Sequence, residues 1–235
     1  MRYKEFILNE SINDKGIMKC MFMAGQPGAG KSYTINNIKS GNLDPRVVNI
    51  DKFVEYFKAY SDEDWEKHGE IAKLLTKNQF ALYLNGLLPL WVDCTSSSAP
   101  AVLRRKGILS SLGYDTGMIW VNCSLETALK RAAQRERVVP DDHIKETYET
   151  IQKMKTYYQQ EFKFFLEIDN DDGELTNDII LKAFKKTTNF FMSPIENPIG
   201  KELIENMKSK GKKYLTENGY SIENVQKLID AWYRN

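Results

Sequence analysis

Cysteine is scarce in this sequence and poorly placed for building structure. Cys20, Cys94 and Cys123 are odd in number and far apart, with no CxxC pair among them, which excludes a disulfide framework and a cysteine-built metal centre. Two of them fall in apolar runs that read as buried strands, where a thiol behaves as a small hydrophobe. Histidine is scarcer still: His68 and His143 stand alone, without metal-ligand spacing, and read as surface or capping residues. An excess of one charge is also lacking. The 33 Lys and Arg balance 32 Asp and Glu to a formal net charge of +1, so there is no broad basic field and any nucleic-acid contact has to be local. No apolar run reaches the length of a membrane span, and the opening Met1-Arg-Tyr-Lys-Glu has no apolar leader core, so the expected compartment is the reducing cytoplasm. Internal repeats and low-complexity tracts are absent.

What is present is a regular alternation. With 235 residues and 42% hydrophobic content, the chain can bury a full core as one large domain with an appendage. Short apolar runs bounded by turns alternate with longer helical patterns, the signature of parallel strands joined by crossover helices, so the expected class is α/β. The candidate strands are Met18–Ala24, Val47–Ile50, Leu87–Asp93, Met118–Val121 and Phe164–Ile168. They predict a three-layer sandwich around a central, mostly parallel five-stranded sheet, with ligands at the strands' carboxyl ends. Between the second and third strands, Asp62–Asn85 places Trp65, Ile71, Leu74, Leu75, Phe80, Leu82 and Leu84 at helical spacing and is expected to be core, with a substrate contact left open. A long helix is predicted from Pro140-Asp-Asp-His143 to about Phe162, and a closing one over Leu175–Phe184.

The expected domain organisation is a body over residues 1–190, entered by a helical lead-in at 1–16, and a helical extension over 191–235 packed on that body. The extension carries Lys201, Lys208, Lys210, Lys212 and Lys213 against Glu202 and Glu205. A solvated helix face explains this small excess better than a nucleic-acid contact does. Ile222, Val225, Leu228, Ile229 and Trp232 then recur at helical spacing, as expected of a segment that folds back.

The most specific signal is Gly25-Gln26-Pro27-Gly28-Ala29-Gly30-Lys31-Ser32, followed by Tyr33 and set between an apolar strand and a helix-compatible stretch. This is a phosphate-binding P-loop in its strand–loop–helix context. Its glycines let successive N–H groups turn toward phosphates, Lys31 reaches the β- and γ-phosphates, and the Ser32 hydroxyl holds Mg²⁺.

Three further features sit where chemistry needs them. Asp51 directly follows the second strand in Val47-Val-Asn-Ile-Asp51, placed to accept a proton from an attacking hydroxyl or to cap the helix that follows. Asp93 ends Leu88-Pro-Leu-Trp-Val-Asp93, where a carboxylate orders the Mg²⁺ shell, and the next residue is Cys94, not the glutamate that activates water in hydrolytic motors. Arg131 and Arg135 stand four apart on a helix starting near Ser124, a like-charge pairing that is unfavourable unless an anion such as triphosphate lies between them.

Taken together, Gly25–Ser32, Val48-Asn-Ile-Asp51, Asp93 and Arg131/Arg135 before Val139-Pro140 resemble the 5′-polynucleotide kinase domain of phages and the related zeta-toxin-like P-loop kinases, over about residues 17–165. The resemblance implies a P-loop kinase fold. It also implies Lys31 on the phosphates, Ser32 on Mg²⁺, Asp51 as base, Asp93 beside metal and substrate, and Arg131 with Arg135 as lid arginines. One departure is that the phage enzymes have an arginine three positions beyond the base. This sequence places Lys52 next to Asp51 and Glu55 one helical turn on. The expectation is therefore an ATP- and Mg²⁺-dependent kinase with a hydroxyl acceptor, favouring a nucleic-acid hydroxyl at a polynucleotide 5′-end or on a modified base. If the chain is phage-encoded, it would act in the host cytoplasm. A nucleotide sugar or a small nucleoside or nucleotide is the alternative acceptor, and a nucleotide-gated binding protein the alternative class. ATP is preferred to GTP because no Asn-Lys-x-Asp string occurs, Thr76-Lys-Asn-Gln79 lacking the final carboxylate.

Overall fold

In the computed structural model, the described residues are 16–38, 45–58, 62–134, 139–171 and 176–217, with the backbone alone described at 62, 63 and 211–217. Five strands, β1 (Lys19–Ala24), β2 (Arg46–Val48), β3 (Leu90–Val92), β4 (Asp115–Asn122) and β5 (Phe164–Asp169), form one sheet in the order β2-β3-β1-β4-β5. All four strand pairings are parallel. The helices are α1 (Lys31–Ile38), α2 (Asp51–Phe57), α3 (Asp62–Asn85), α4 (Ala99–Ser111), α5 (Leu125–Ala132), α6 (Asp141–Glu161), α7 (Asn177–Met192) and α8 (Pro198–Glu217).

β1 is central and buried at every position, as the apolar run Cys20–Ala24 requires in a sheet covered on both faces; its first residue, Lys19, is the polar exception. On one face, Met21, Met23, Trp91, Ile119, Val121, Leu166 and Ile168 pack with Ile35 and Ile38 of α1, Ala128 and Ala132 of α5, and Ala183 and Phe191 of α7. On the other, Cys20, Phe22, Leu90, Val92, Met118 and Trp120 pack with Val102 and Leu109 of α4, Ile151 and Tyr158 of α6, and Ile204 of α8. The three expected layers are present.

Several boundaries differ from the sequence reading. β3 begins at Leu90, not Leu87, because Leu87 has φ 54° and its N–H bonds back to the Leu84 carbonyl, making residues 86–87 the turn that ends α3. α7 runs on to Met192 because Phe191 is buried in the core. α4 was not anticipated at all. α3 is one helix as expected, yet it is not wholly core: Phe80, Tyr83 and Leu84 pack against the sheet, while Ile71, Leu74 and Leu82 are exposed. α2 sits on its outer side through a small cluster of Val54, Phe53, Phe57, Ala72 and Trp65.

At the amino ends of the strands lies a buried polar knot. The Lys19 ammonium, 1% exposed, donates to Asp115 Oδ2 at 2.7 Å, Ser193 Oγ at 2.9 Å and the Pro194 carbonyl at 2.9 Å. Asp115 also accepts from the backbone N–H groups of Glu196 and Asn197. The corner between α7 and α8 is thereby tied to the centre of the sheet. All three cysteines are free thiols. No helix among the described residues is long and apolar enough to cross a membrane. The lead-in at 1–15 and the apolar pattern from Ile222 to Trp232 lie outside the described residues.

Candidate active site

Because every strand runs the same way, the residues that follow them gather at one edge. The P-loop follows β1, Asn49 to Asp51 follow β2, Asp93 follows β3, Cys123 and Ser124 follow β4, and Asn170 and Asp171 follow β5. Ligands of open parallel sheets bind at this edge, where the chain reverses its direction of winding.

The loop is held from several sides. The Gln26 side chain is buried and turned inward, its Nε2 donating to the Cys123 carbonyl at 2.9 Å, so its role is to anchor the loop to the start of α5. The Gly25 N–H bonds the Thr95 carbonyl at 3.2 Å. Gly28 (φ +85°) lies so close to α5 that a Cβ would overlap the Ala128 carbonyl, and Gly30 (φ +90°) would drive one into the Asn170 amide. Both glycines are thus required by left-handed backbone and by contact. Asn170, 5% exposed, donates Nδ2 to the Ala29 carbonyl at 2.8 Å, and its own carbonyl accepts Arg131 Nη2 at 2.8 Å. Arg131 Nη1 is buried, has no hydrogen-bond partner among the described residues and lies 3.8 Å from where a Gly30 Cβ would be. Lys31 Nζ donates to the Gly25 and Gln26 carbonyls at 2.8 and 3.2 Å. Tyr33 is half exposed on the first turn of α1, and Pro27 is partly exposed at the loop's outer bend.

The two carboxylates are joined by a residue the sequence reading did not single out. Asn49 Nδ2 donates to Asp93 Oδ2 at 2.8 Å, while Asn49 Oδ1 accepts the Asp51 N–H at 2.8 Å. Asp51 does not cap α2: it is the helix's first residue, exposed at the site mouth, and the N-cap position is Ile50, which makes no side-chain cap bond. Asp93 Oδ2 also accepts the Ser32 hydroxyl at 3.1 Å. Burial holds the Asp93 carboxyl above its ordinary range, opposed by Lys31 and by the Ser32 and Asn49 hydrogen bonds, with Asp51 adding to the rise. Asp171 behaves oppositely: hydrogen bonds from Ser124, side chain and backbone, and from Thr127 hold it below the usual carboxylate value. Its Oδ1 takes the Ser124 N–H at 2.8 Å, fixing the N-cap of α5. Arg135 lies outside the described residues. Lys31, Ser32, Asp51, Asp93 and Arg131 all lie around the P-loop; Asn49, Asn170 and Asp171, which hold the loop, the carboxylates and α5 in place, were not singled out from the sequence.

The model of the zeta toxin family matches residues 9–176. The chain belongs to the zeta toxin family. Among solved structures, a protein of Chloroflexus aurantiacus described as a kinase aligns with a TM-score of 0.51 at 16% identity, covering 72% of this chain and 97% of that one. A chain of the PezAT chromosomal toxin–antitoxin system of Streptococcus pneumoniae aligns with a TM-score of 0.51 at 16% identity, covering 92% of this chain and 97% of the other. At these identities the two show the shared fold. Membership of the zeta toxin family places the chain among P-loop kinase-like proteins, with nucleotide phosphates as the expected ligand of the loop.

The residues present fit a triphosphate and a divalent ion. No group of three or more His, Cys, Asp or Glu among the described residues forms a ready cage, and Mg²⁺ does not need one, since it takes one or two protein oxygens and completes its shell with phosphates and water. Ser32 Oγ and Asp93 Oδ2, 3.1 Å apart, are oxygens of the kind that would serve such an ion. The orphaned Arg131 Nη1 is a donor for which a phosphate beside Gly30 is the fitting acceptor.

Proposed function

We propose that the chain transfers the γ-phosphoryl group of ATP to a hydroxyl of a small, nucleotide-like acceptor seated at Asp51. The observation that carries this reading is the Asn49 bridge, which aligns the metal-side carboxylate Asp93 with the start of α2 and its carboxylate Asp51 at the mouth of the P-loop. The P-loop amides and Lys31 hold the phosphates. Ser32 and Asp93 hold Mg²⁺, which when bound neutralises charge on the β- and γ-phosphates. Asp51 orients the acceptor hydroxyl and takes its proton as the oxygen bonds to the γ-phosphorus, while the bond from that phosphorus to the β–γ bridging oxygen breaks and ADP leaves. Arg131, with Arg135, stabilises the charge spread over the transferring group.

A small acceptor is favoured by α2. Asp51 and Glu55 stand four apart, on one face of the helix, so a second phosphate running past the base would meet a carboxylate. A nucleic-acid hydroxyl is the second reading. It is supported by the motif likeness to polynucleotide kinases and by the exposed Lys201 and Lys210 of α8.

The test is transfer of labelled γ-phosphate from ATP to a panel of nucleosides, nucleoside monophosphates, UDP-sugars, 5′-hydroxyl DNA and RNA, and hydroxymethyl-base DNA. Asp51→Asn should abolish transfer and leave ATP affinity within about twofold, and Lys31→Ala serves as control. Label confined to polynucleotides would move the protein to the second reading. Transfer undiminished in Asp51→Asn, or ATP binding lost in it, would remove the base assignment and favour nucleotide-gated binding.

A further inference from the structure

The loop between β3 and α4 holds a backbone conformation that its sequence does not favour. Ser96 lies at φ 58°, in the left-handed region that a residue with a side chain rarely adopts and that persists where its surroundings impose it. Two buried bonds do so here. Ser96 Oγ donates to the Met23 carbonyl of β1 at 2.7 Å, and the Tyr158 hydroxyl, from the last turn of α6, donates to the Ser96 carbonyl at 2.7 Å. The preceding carbonyl, that of Thr95, is thereby turned to accept the Gly25 N–H at 3.2 Å, and the Gly25 carbonyl in turn accepts Lys31 Nζ at 2.8 Å. Tyr158 is itself wholly buried, its ring near those of Trp120 and Phe162. Burial pushes its pKa up to about 12, so the donor keeps its proton at neutral pH.

We infer that Tyr158 is a positioning residue for nucleotide binding: through Ser96, Thr95 and Gly25 it sets where the Lys31 ammonium stands. The inference rests on the P-loop as the seat of nucleotide phosphates. Core packing accounts for an aromatic ring at position 158, and phenylalanine would fill the same volume. It does not account for the hydroxyl, which serves one carbonyl, and that carbonyl belongs to the residue whose conformation aims Thr95 at the P-loop. Without the hydroxyl, the Ser96 carbonyl is left unpaired in a buried place. Rotation about the Ser96 backbone then relieves both the orphaned carbonyl and the left-handed strain, and it carries the Thr95 carbonyl off Gly25. Lys31 is the side chain that reaches the β- and γ-phosphates, so a triphosphate, which engages it through both, loses more than a diphosphate, which offers only the first. α6 also supplies an internal comparison. Gln152 Nε2 donates to Asn122 Oδ1 at the end of β4 at 3.0 Å, a bond from the same helix that ends on a side chain and does not bear on Gly25.

The experiment uses the full chain with Mg²⁺ and measures, by titration calorimetry, the Kd of a non-hydrolysable ATP analogue and of ADP for wild type, Tyr158→Phe, Ser96→Ala and Gln152→Met, with thermal melts establishing that each is folded. Tyr158→Phe should raise the Kd of the analogue roughly tenfold and that of ADP by no more than about threefold, so the preference for triphosphate falls. Ser96→Ala, which removes the other bond that imposes the turn, should shift that preference in the same direction and keeps the question answerable if Tyr158→Phe does not fold. Gln152→Met should leave the preference as in wild type, whatever it does to the melting temperature. The inference is overturned if Tyr158→Phe and Ser96→Ala weaken both nucleotides alike, if they bind both as wild type does, or if Gln152→Met shifts the preference as far. Wild type that binds neither nucleotide would sink the reading of the P-loop itself and this inference with it, an outcome distinct from the other three.

Discussion

Asn170 and Gly30 should be energetically coupled, and the sign and size of the coupling follow from their geometry. The Asn170 amide is buried and donates to the Ala29 carbonyl at 2.8 Å. Asn170→Ala leaves that carbonyl unsatisfied, at a cost of about 1–3 kcal/mol. Gly30→Ala places a methyl group on the same amide, expelling it and losing the same bond, and it also forces alanine into φ +90°, adding roughly 1–2 kcal/mol. In the double variant the amide is already gone. The next atom near the new Cβ is Arg131 Nη1 at 3.8 Å, an ordinary contact, so only the backbone strain is added to the first loss. Independent effects would sum to about 3–8 kcal/mol, whereas the shared bond predicts about 2–5 kcal/mol for the double variant and a coupling of about 1–3 kcal/mol. Urea unfolding of the nucleotide-free protein, followed through the buried Trp91 and Trp120, measures all four corners of the cycle at constant m. Additivity within about 0.5 kcal/mol would refute the claim that the two residues act through one hydrogen bond.

Other consequences of the site are open to equally direct tests. Gly28→Ala should abolish ATP binding, as seen by equilibrium dialysis, while the sheet's far-ultraviolet spectrum is retained, because the loop must lift away from the Ala128 carbonyl; ATP affinity unchanged would mean the loop has another way to seat. Asn49→Leu should raise the Mg²⁺ concentration for half-maximal activity about tenfold, since Asp93 loses the donor that orients its metal-side oxygen, and a normal Mg²⁺ curve would leave Asn49 only its bond to the Asp51 N–H. The Asp171 carboxyl is held below its ordinary value of 3.8 by Ser124 and Thr127. Its contribution to stability is therefore present above that value and fades as pH falls through the lower folded value. The Tm gap between wild type and Asp171→Ala should accordingly be full at pH 7 and narrow near pH 3, and a gap that widens in acid would reverse the assignment.

The P-loop and its carboxylate and arginine companions were legible because their chemistry is written in contiguous residues at strand ends. What supports them was not. Asn170 meets Ala29 across 141 positions, and a lone asparagine after a strand reads equally well as a turn. Asn49 lay within the quoted Val-Asn-Ile-Asp tetrapeptide, yet its bond to Asp93 depends on β2 lying beside β3, a neighbour relation that spacing along the chain does not give. α4 escaped because its two buried side chains, Val102 and Leu109, stand seven apart with Arg104, Arg105 and Lys106 between them, too thin a stripe to register as a periodicity. The apolar residues of α3 misled in the other direction: helical spacing identified the helix, but burial of Ile71, Leu74 and Leu82 was assumed from hydrophobicity, and an apolar side chain on a surface breaks no physical rule.

The knot around Lys19 bears on synthesis. Lys19 lies in the first strand, and its three acceptors come from Asp115 and from Ser193 and Pro194, which leave the ribosome more than a hundred and seventy residues apart in the case of the serine. Until that last segment emerges, a chain that paired β1 with its neighbours would be burying an ammonium with only part of its hydrogen-bonding shell, a costly state. The centre of the sheet is thus completed by the end of the body and not by its beginning, and a nascent chain stalled before Ser193 would be expected to hold its nucleotide-binding strand in reserve, loosely formed and open to proteases, until the corner closes beneath it.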